Sequence, residues 1–469
     1  VAIVGVFVLL LVALGGGAWW YMQNQKPSQT VAAAVSPVPG QTQVAAAQPA
    51  GGLTLPGGLS LPVIGATPVP SPTPTPPPRK AEVKDVDEST VVQSGTWGPV
   101  PANQVNIMLK EGQTRQDAER MAKELGGTIV GEIERINMYQ IQTQGKTEAD
   151  LETALAAARK LNNVDAILPN QPMFLKAIPC QACGDINTGP YQGDAGRAYQ
   201  VIGVDRAWKL IKASGVTLSD VNVGVSDSAF NSSSGEIKGQ TQIEGLTPKD
   251  ITNQAKLTHG TAVTHVLGAD ANNGGVAGVA GILGAKLKMK VSGKDGSLLG
   301  SAPDPAGSPL PVYTFTNDYV NNVIASFENQ IKAKSTIINC SFGTDKPMAL
   351  NAPAAQLFRA YFEKVAKENP DVLFVIAAGN ENGGLDGTNY APGGLKLPNV
   401  MTVGAVKTNG DRAGFSNYTT GDAEVTLSAP GEKIVVSNDD PAGPTRWNGT
   451  SFATPMVSGT AALLKSINP

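Results

Sequence analysis

The chain holds two histidines, His259 and His265, in 469 residues, so imidazole chemistry is confined to one short stretch. His259 opens His259-Gly260-Thr261, just ahead of an apolar, helix-like run at 263–269. Far along the chain stands Asn448-Gly449-Thr450-Ser451-Phe452-Ala453-Thr454-Pro455, which runs on into an apolar segment ending Ala461-Ala462-Leu463-Leu464. A glycine beside a small hydroxyl residue makes a tight turn and leaves Ser451 where a helix begins. There backbone N–H groups point outward and the helix dipole favours negative charge. A serine so placed can attack a carbonyl while its own N–H helps hold the oxyanion that forms. Serine and threonine are also ordinary helix N-caps, so the stretch takes its chemical meaning from partners. A serine hydroxyl is too weak a nucleophile at its free pKa and needs a base. Imidazole can be that base, and a carboxylate must then fix its tautomer. Asp227, just past Val221-Asn222-Val223-Gly224-Val225 in Val225-Ser226-Asp227, is better placed for this than Asp205, Asp220 or Asp270. Asn380, in Ala377-Ala378-Gly379-Asn380, offers an amide to an oxyanion.

Alternating strands and helices must position these groups. Residues 221–225, 285–291, 335–340 and 400–406 read as strands, and 320–332 and 357–367 as helices. The continuous apolar run 372–376 reads as a fully buried parallel strand. Such alternation predicts an α/β domain built on an open, mostly parallel sheet with helices on both faces. Chemistry gathers at the carboxyl ends of such strands, which is where Asp227 and Asn380 fall. Ahead of this domain, 103–175 reads as a small α+β unit. Strands near 105–109, 128–133, 138–143 and 164–168 and helices at 114–125 and 148–161 give a ferredoxin-like β-α-β-β-α-β order.

Asp, His and Ser in that chain order form the subtilisin version of the triad. On Asn448–Pro455, Val375–Asn380, His259–Thr261 and the strand before Asp227, residues 198–469 resemble the subtilisin-like (subtilase) serine endopeptidases. Weaker agreement lies in Asn339-Cys340-Ser341-Phe342-Gly343, Gly414-Phe415-Ser416-Asn417 and Ser428-Ala429-Pro430-Gly431. The resemblance implies Ser451 as nucleophile, His259 as base and Asp227 as its orienter, with Asn380 and the Ser451 N–H as oxyanion hole. It also implies that Ser341, Phe342 and Gly343 pair with an extended peptide substrate, with Ala378 and Gly379 lining the pocket beside it. By the same resemblance residues 86–177 are an inhibitory propeptide, and alignment of its last strand places self-cleavage near residues 175–177. Cofactors are not needed for this chemistry. Structural calcium is common in the family, but no compact carboxylate cluster names a site, so no metal ligand is assigned. The chain departs from the family at Ala229 (usually Gly), at Ala262 (often His) and at Phe452 (often Met). The last change removes an oxidation-prone thioether beside the nucleophile. His265 is expected to be a packed core histidine. The chain ends soon after Ser451, where family domains normally continue. A catalytically inactive binding scaffold, and an enzyme confined to esters or to its own processing, are the competing readings.

Composition sets the surroundings. Residues 1–22 carry no charge and close on Trp19-Trp20-Tyr21, as an uncleaved transmembrane anchor would; a cleaved signal segment is the alternative. Residues 23–85, rich in Pro, Ala, Gly and Ser, read as a disordered, semi-extended spacer. Residues 178–197 form a hinge holding Cys180 and Cys183, which suit a local disulfide, whereas Cys340 lies in an apolar run as a small core residue. A net charge of −3 gives no ground for nucleic-acid binding. The expectation is a membrane-held precursor with an extracytoplasmic catalytic domain, secreted after processing, whose partners are protein or peptide substrates and its own propeptide.

Overall fold

A computed structural model describes residues 79–469 except 176–177, 180–192, 229, 232–233, 238–240, 247–250, 253–256, 272–275, 294–297, 303–311, 316–317, 345–351, 386–390 and 438–444. The expected anchor at 1–22, most of the spacer, and Cys180 and Cys183 lie outside the described residues. Among those described, no helix is long and apolar enough to cross a membrane.

In the small domain β1 (Ala81–Glu82) and the hairpin β2 (Val91–Ser94) with β3 (Gly98–Pro101) come first. Then β4 (Gln104–Leu109), α1 (Arg115–Glu124), β5 (Thr128–Ile133), β6 (Met138–Gln142), α2 (Glu148–Ala158) and β7 (Val164–Pro169) follow in the order read from the sequence. Both helices open on a threonine three residues before an aspartate. Thr114 N–H donates to Asp117 Oδ2 at 2.9 Å and Thr147 N–H to Asp150 Oδ2 at 3.0 Å, which anchors each entry turn. The strands pair antiparallel in the order β1-β5-β6-β4-β7. Side chains alternate across a strand, so Val105, Ile107 and Ile141 pack with Met121, Leu151 and Leu155 of the domain's own helices. Met108, Met138 and Leu168 turn the other way. The expected boundary at residue 86 is corrected here. Ala81 pairs with Ile133 and Glu82 with Glu132, so the sheet takes in residues assigned to the spacer. An edge strand this short has no periodic apolar signal; backbone pairing and Lys80 N–H donating to Glu134 Oε2 at 2.9 Å hold it.

In the large domain, α3 (Gly193–Val201) and α4 (Val204–Ser214) lead into a seven-stranded sheet whose neighbouring pairs are all parallel. Its order is β12 (Gln242–Gly245), β14 (Leu287–Ser292), β10 (Val221–Ser226), β18 (Ile337–Cys340), β20 (Leu373–Ala377), β21 (Val400–Val406) and β22 (Leu427–Pro430). Short pairs flank it: β11 (Phe230–Asn231) with β13 (Ile251–Thr252), β15 (Leu298–Ala302) with β16 (Val312–Phe315), and β23 (Ile434–Ser437) with β24 (Thr445–Asn448). Alternation along β18 identifies the two covering layers. Ile338 and Cys340 join a core with α6 (Val320–Lys332) and α7 (Pro353–Glu368). Asn339, between them, accepts from Ser458 Oγ of α8 (Thr450–Ile467) at 2.9 Å on the opposite face, where α8 packs beside α5 (His259–Gly268). Helix α7 starts at Pro353, earlier than the apolar pattern indicated, because proline is favoured in a first turn.

The two domains share a core. Met108, Ile133, Met138 and Leu168 of the small sheet pack into one cluster with Val323, Phe327, Phe358, Tyr361 and Phe362 of α6 and α7. At its edge Arg135 binds the Glu328 carboxylate through Nε and through Nη2 (3.2 Å to Oε2), with side-chain exposures of 4% and 1%. Tyr361 Oη donates to Glu328 Oε1 at 2.9 Å, and Glu368 joins Arg135 to Arg79. Burial works against the guanidinium's charge, yet the hydrogen bond to Glu328 and the surrounding anionic charge outweigh it and hold its pKa above the ordinary value. Replacing Arg135 by Met strands the Glu328 charge inside the shared core. The expected loss is about 3–5 kcal/mol in denaturant unfolding of the intact chain, and a loss below about 1 kcal/mol would mean that Glu328 is in effect solvated.

Candidate active site

Asp227 leaves the carboxyl end of β10, and His259 begins α5, whose first turn is capped by Thr258 Oγ1 accepting from Thr261 N–H at 3.1 Å. Asp227 Oδ1 accepts from His259 Nδ1 at 2.7 Å and from Ser228 N–H at 2.7 Å. A carboxylate only accepts, so the imidazole proton sits on Nδ1 and the neutral ring keeps its lone pair on Nε2. Nε2 makes no hydrogen bond and is buried. Ser228 locks the strand to the helix, accepting from Gly260 N–H at 2.8 Å. A Cβ at Gly260 would stand 2.4 Å from Ser228 O, so this approach requires glycine. Two of the carboxylates weighed against Asp227 are engaged elsewhere: Asp220 pairs with Lys288 and Asp270 accepts from Thr241.

Ser451 lies in the first turn of α8, fully buried. Its hydroxyl donates to Ser341 O at 3.0 Å, and Ser341 Oγ donates back to Ser451 O at 3.0 Å. Behind them, Asn339 Nδ2 donates to Ser341 Oγ at 2.9 Å while Ser458 Oγ donates to Asn339 Oδ1, so α8 is fastened to the end of β18 by a buried polar chain. Phe452 packs against the His259 ring with centroids 5.7 Å apart, and Trp447 lies nearly parallel to that ring at 6.4 Å. Asn380, off the end of β20, accepts at Oδ1 from Thr450 N–H (2.8 Å) and Thr450 Oγ1 (2.9 Å), which defines Nδ2 as the donor end of the amide. Thr450 Oγ1 in turn accepts from Gly379 N–H at 3.1 Å. The sequence reading passed over Thr450, whose hydroxyl looks like that of any N-cap.

The segment expected to pair with substrate is paired. Strand β19 (Phe342–Thr344) runs antiparallel to β8 (Pro172–Leu175), with Phe342 opposite Leu175, Gly343 opposite Phe174 and Thr344 opposite Met173. On its far side β8 pairs with β17 (Asp318–Tyr319), a second rim that the sequence did not signal. The chain resumes as β9 (Ile178–Pro179), antiparallel to β24, with Ile178 opposite Asn448. Ala378 and Gly379 follow β20, the strand next to β18, and Asn417 Nδ2 donates to Ala378 O at 2.9 Å.

His265 is a core histidine, as expected. It is fully buried, its Nδ1 bonds Val436 O at 2.6 Å, and its Nε2 meets Ser234 Oγ at 2.7 Å. Cys340 is buried and free, and desolvation together with the nearby Asp227 charge pushes its thiol pKa well up, which keeps it inert. Among the described residues no group of three or more His, Cys, Asp or Glu side chains converges as metal ligands.

A buried Asp227–His259 pair and the buried Ser451 thus sit at the carboxyl edge of a parallel α/β sheet, with a small domain packed on its helices. The model of the subtilase family (peptidase S8) matches residues 219–469, and that of the fervidolysin N-terminal prodomain matches residues 93–170; the chain belongs to the subtilase family and carries a prodomain of the fervidolysin type. It is similar to the thermophilic serine proteinase of Bacillus sp. (strain AK1), 27% identical over 388 residues that make up 82% of each chain. It is also similar to the extracellular basic protease of Dichelobacter nodosus, 37% identical over 216 residues, which cover 44% of this chain and 31% of that relative's length. The crystal structure of fervidolysin from Fervidobacterium pennivorans shares the fold with a TM-score of 0.55 at 18% identity, over 83% of this chain and 59% of that one.

Thr450→Val keeps the shape and removes a hydroxyl that serves Asn380 and Gly379. An unsatisfied amide end costs about 1–3 kcal/mol, so kcat is expected to fall by about ten-fold or more with KM little changed. An unchanged kcat would mean that Asn380 is held without Thr450.

Proposed function

We propose that this chain is a self-processing serine endopeptidase zymogen whose Asp227, His259 and Ser451 form a catalytic triad. The observation that carries the reading is the path of the chain's own backbone. Residues 173–175 lie as a strand on Phe342–Thr344, and Ile178–Pro179 pair with Trp447–Asn448, three residues before Ser451. A peptide substrate would add to the same edge, gaining affinity from main-chain hydrogen bonds.

In this arrangement the Ser451 hydroxyl donates a hydrogen bond to the Ser341 carbonyl, and His259 Nε2 makes none. Rotation of the Ser451 side chain would turn the hydroxyl to Nε2. Oγ then attacks the scissile carbonyl as the proton passes to His259, and Asp227 stabilises the imidazolium and holds its orientation. The developing oxyanion is received by Asn380 Nδ2 and the Ser451 N–H. His259 then protonates the leaving amine, and water repeats the sequence on the acyl-enzyme. No nucleic acid takes part. Residues 1–22 would hold the precursor at the cell membrane, catalytic domain outward, until a cut near residues 175–177 frees it.

An inactive binding scaffold would show the same Ser451–Ser341 bond, and a fluorophosphonate probe separates the two, since only an activated serine labels. Expressed side by side, the parent is expected to split near residue 176 and digest casein, while Ser451→Ala stays whole. A matured amino terminus upstream of Asn162 would overturn the self-processing assignment. Replacing Asn380 by Ala should lower kcat by about 10²–10³, and Asp227→Asn by about 10⁴. Equal activity in either variant would remove that residue from the mechanism.

A further inference from the structure

We propose that Trp447 is a positioning residue of this reaction: its indole stacks on the His259 imidazole, sets the tilt of that ring and stabilises the imidazolium that forms in each half of the catalytic cycle. The inference rests on His259 being the base and Ser451 the nucleophile. Asp227 secures the imidazole at one corner only, through the bond from Nδ1 to Oδ1, while Nε2 makes none. A single hydrogen bond at one corner leaves the tilt of a ring to whatever packs against its sides. Tilting moves Nε2, the atom that must meet the serine proton, and proton transfer is steep in that distance.

Two aromatic rings supply the packing. Trp447 lies nearly parallel to the imidazole, with 22° between the planes and centroids 6.4 Å apart, and Phe452 sits 5.7 Å from it at 50°. Trp447 and Phe452 meet each other edge to face, 63° between planes and 5.7 Å apart. The three centroids form a closed triangle in which each ring is braced by the other two. His259 and Phe452 are fully buried, and Trp447, partly exposed, is the outer member. The backbone of β24 holds Trp447 in turn, placing it opposite Ile434 on one side and Pro179 on the other. The contact is attractive as well as steric. Aromatic rings at these separations favour offset stacking, and an indole face attracts a cation more strongly than the other aromatic side chains do. His259 is charged in mid-reaction, while it holds the proton of Ser451 or of the attacking water. An attraction that grows with that charge therefore acts on the transition state more than on the resting enzyme. One short segment thus sets both partners: it carries Ser451 and, four residues before and one after, the rings that hold its base.

Deacylation is the discriminating step. The leaving peptide has gone when water attacks the acyl-enzyme, so a residue that only contacts that peptide has no part, whereas one acting through His259 still does. The assay uses the enzyme processed from the full chain and a p-nitrophenyl ester whose steady turnover, after the initial burst, is set by deacylation. Trp447→Leu is expected to slow that turnover by about two- to ten-fold, with the burst amplitude counting active sites. Cleavage of a peptide should slow to a similar degree through kcat, KM should change little, and Trp447→Phe, which restores a ring, should recover most of both rates. Unaltered deacylation in Trp447→Leu, or a loss that appears in KM alone, would make Trp447 a peptide contact and overturn the proposal. Equal losses in the Leu and Phe variants would do the same. A second readout needs no turnover. With two histidines in the chain, the carbon-bound imidazole protons of His259 and His265 can be told apart by NMR in the uncut Ser451→Ala protein. Trp447→Leu removes the ring current of the indole and should move the His259 signals more than those of His265; unmoved His259 signals overturn the stacking. If the parent gives no burst and Ser451 does not label with a fluorophosphonate, the catalytic reading itself falls and this inference with it. If burst and labelling are present and the variants behave as the parent does, only the role of Trp447 is lost.

Discussion

Parallel pairing in register is the constraint on which the rest depends. Ser226 sits beside Cys340 and Cys340 beside Ile376, so three strands reach their carboxyl ends at one level. Asp227, Ser341 and the Ala378–Asn380 turn are delivered to a common edge from three segments well separated in sequence. Helix α8 adds Ser451 by fastening itself to that edge through Ser341 and Asn339. A slip of one residue in β18 would present Asn339 to the wrong face and undo the fastening. The geometry is thus a property of sheet alignment first and of the individual side chains second.

What the sequence made legible follows from rarity and periodicity. Two histidines left a single base to consider once His265 read as core, and the apolar run before Ala377 located β20 to within a residue. The β-α-β-β-α-β order was legible because α1 and α2 announce their starts with Thr-x-x-Asp boxes. Features that rest on pairing distant backbone were not. Strand β1, the rim at Asp318–Tyr319 and the amide bracket of Asn417 use one or two residues each, with no pattern to detect. Thr450 was hidden differently, since a hydroxyl in a first turn has a common local explanation and its true partners lie some seventy residues upstream.

The joint between the domains combines two kinds of interaction. The Met108, Met138 and Leu168 face of the small sheet removes apolar surface from water together with the aromatic faces of α6 and α7, which is non-directional. Arg135 with Glu328 and Tyr361 adds direction, since a planar guanidinium accepts its carboxylate in few orientations. Phe342 belongs to the same cluster and stacks on Phe327 with centroids 6.3 Å apart, so the edge that pairs with β8 is braced by the helix that the small domain covers.

Because β8 belongs to the same chain as the cleft it fills, its local concentration is set by covalent connection, on the order of millimolar for a short tether. Severing the link would replace that fixed value with the bulk concentration of a separate fragment. Crowded into a small volume, the pieces would remain together; carried into a large one, they would part. Dilution alone would then loosen residues 172–175 from the edge at Phe342–Thr344.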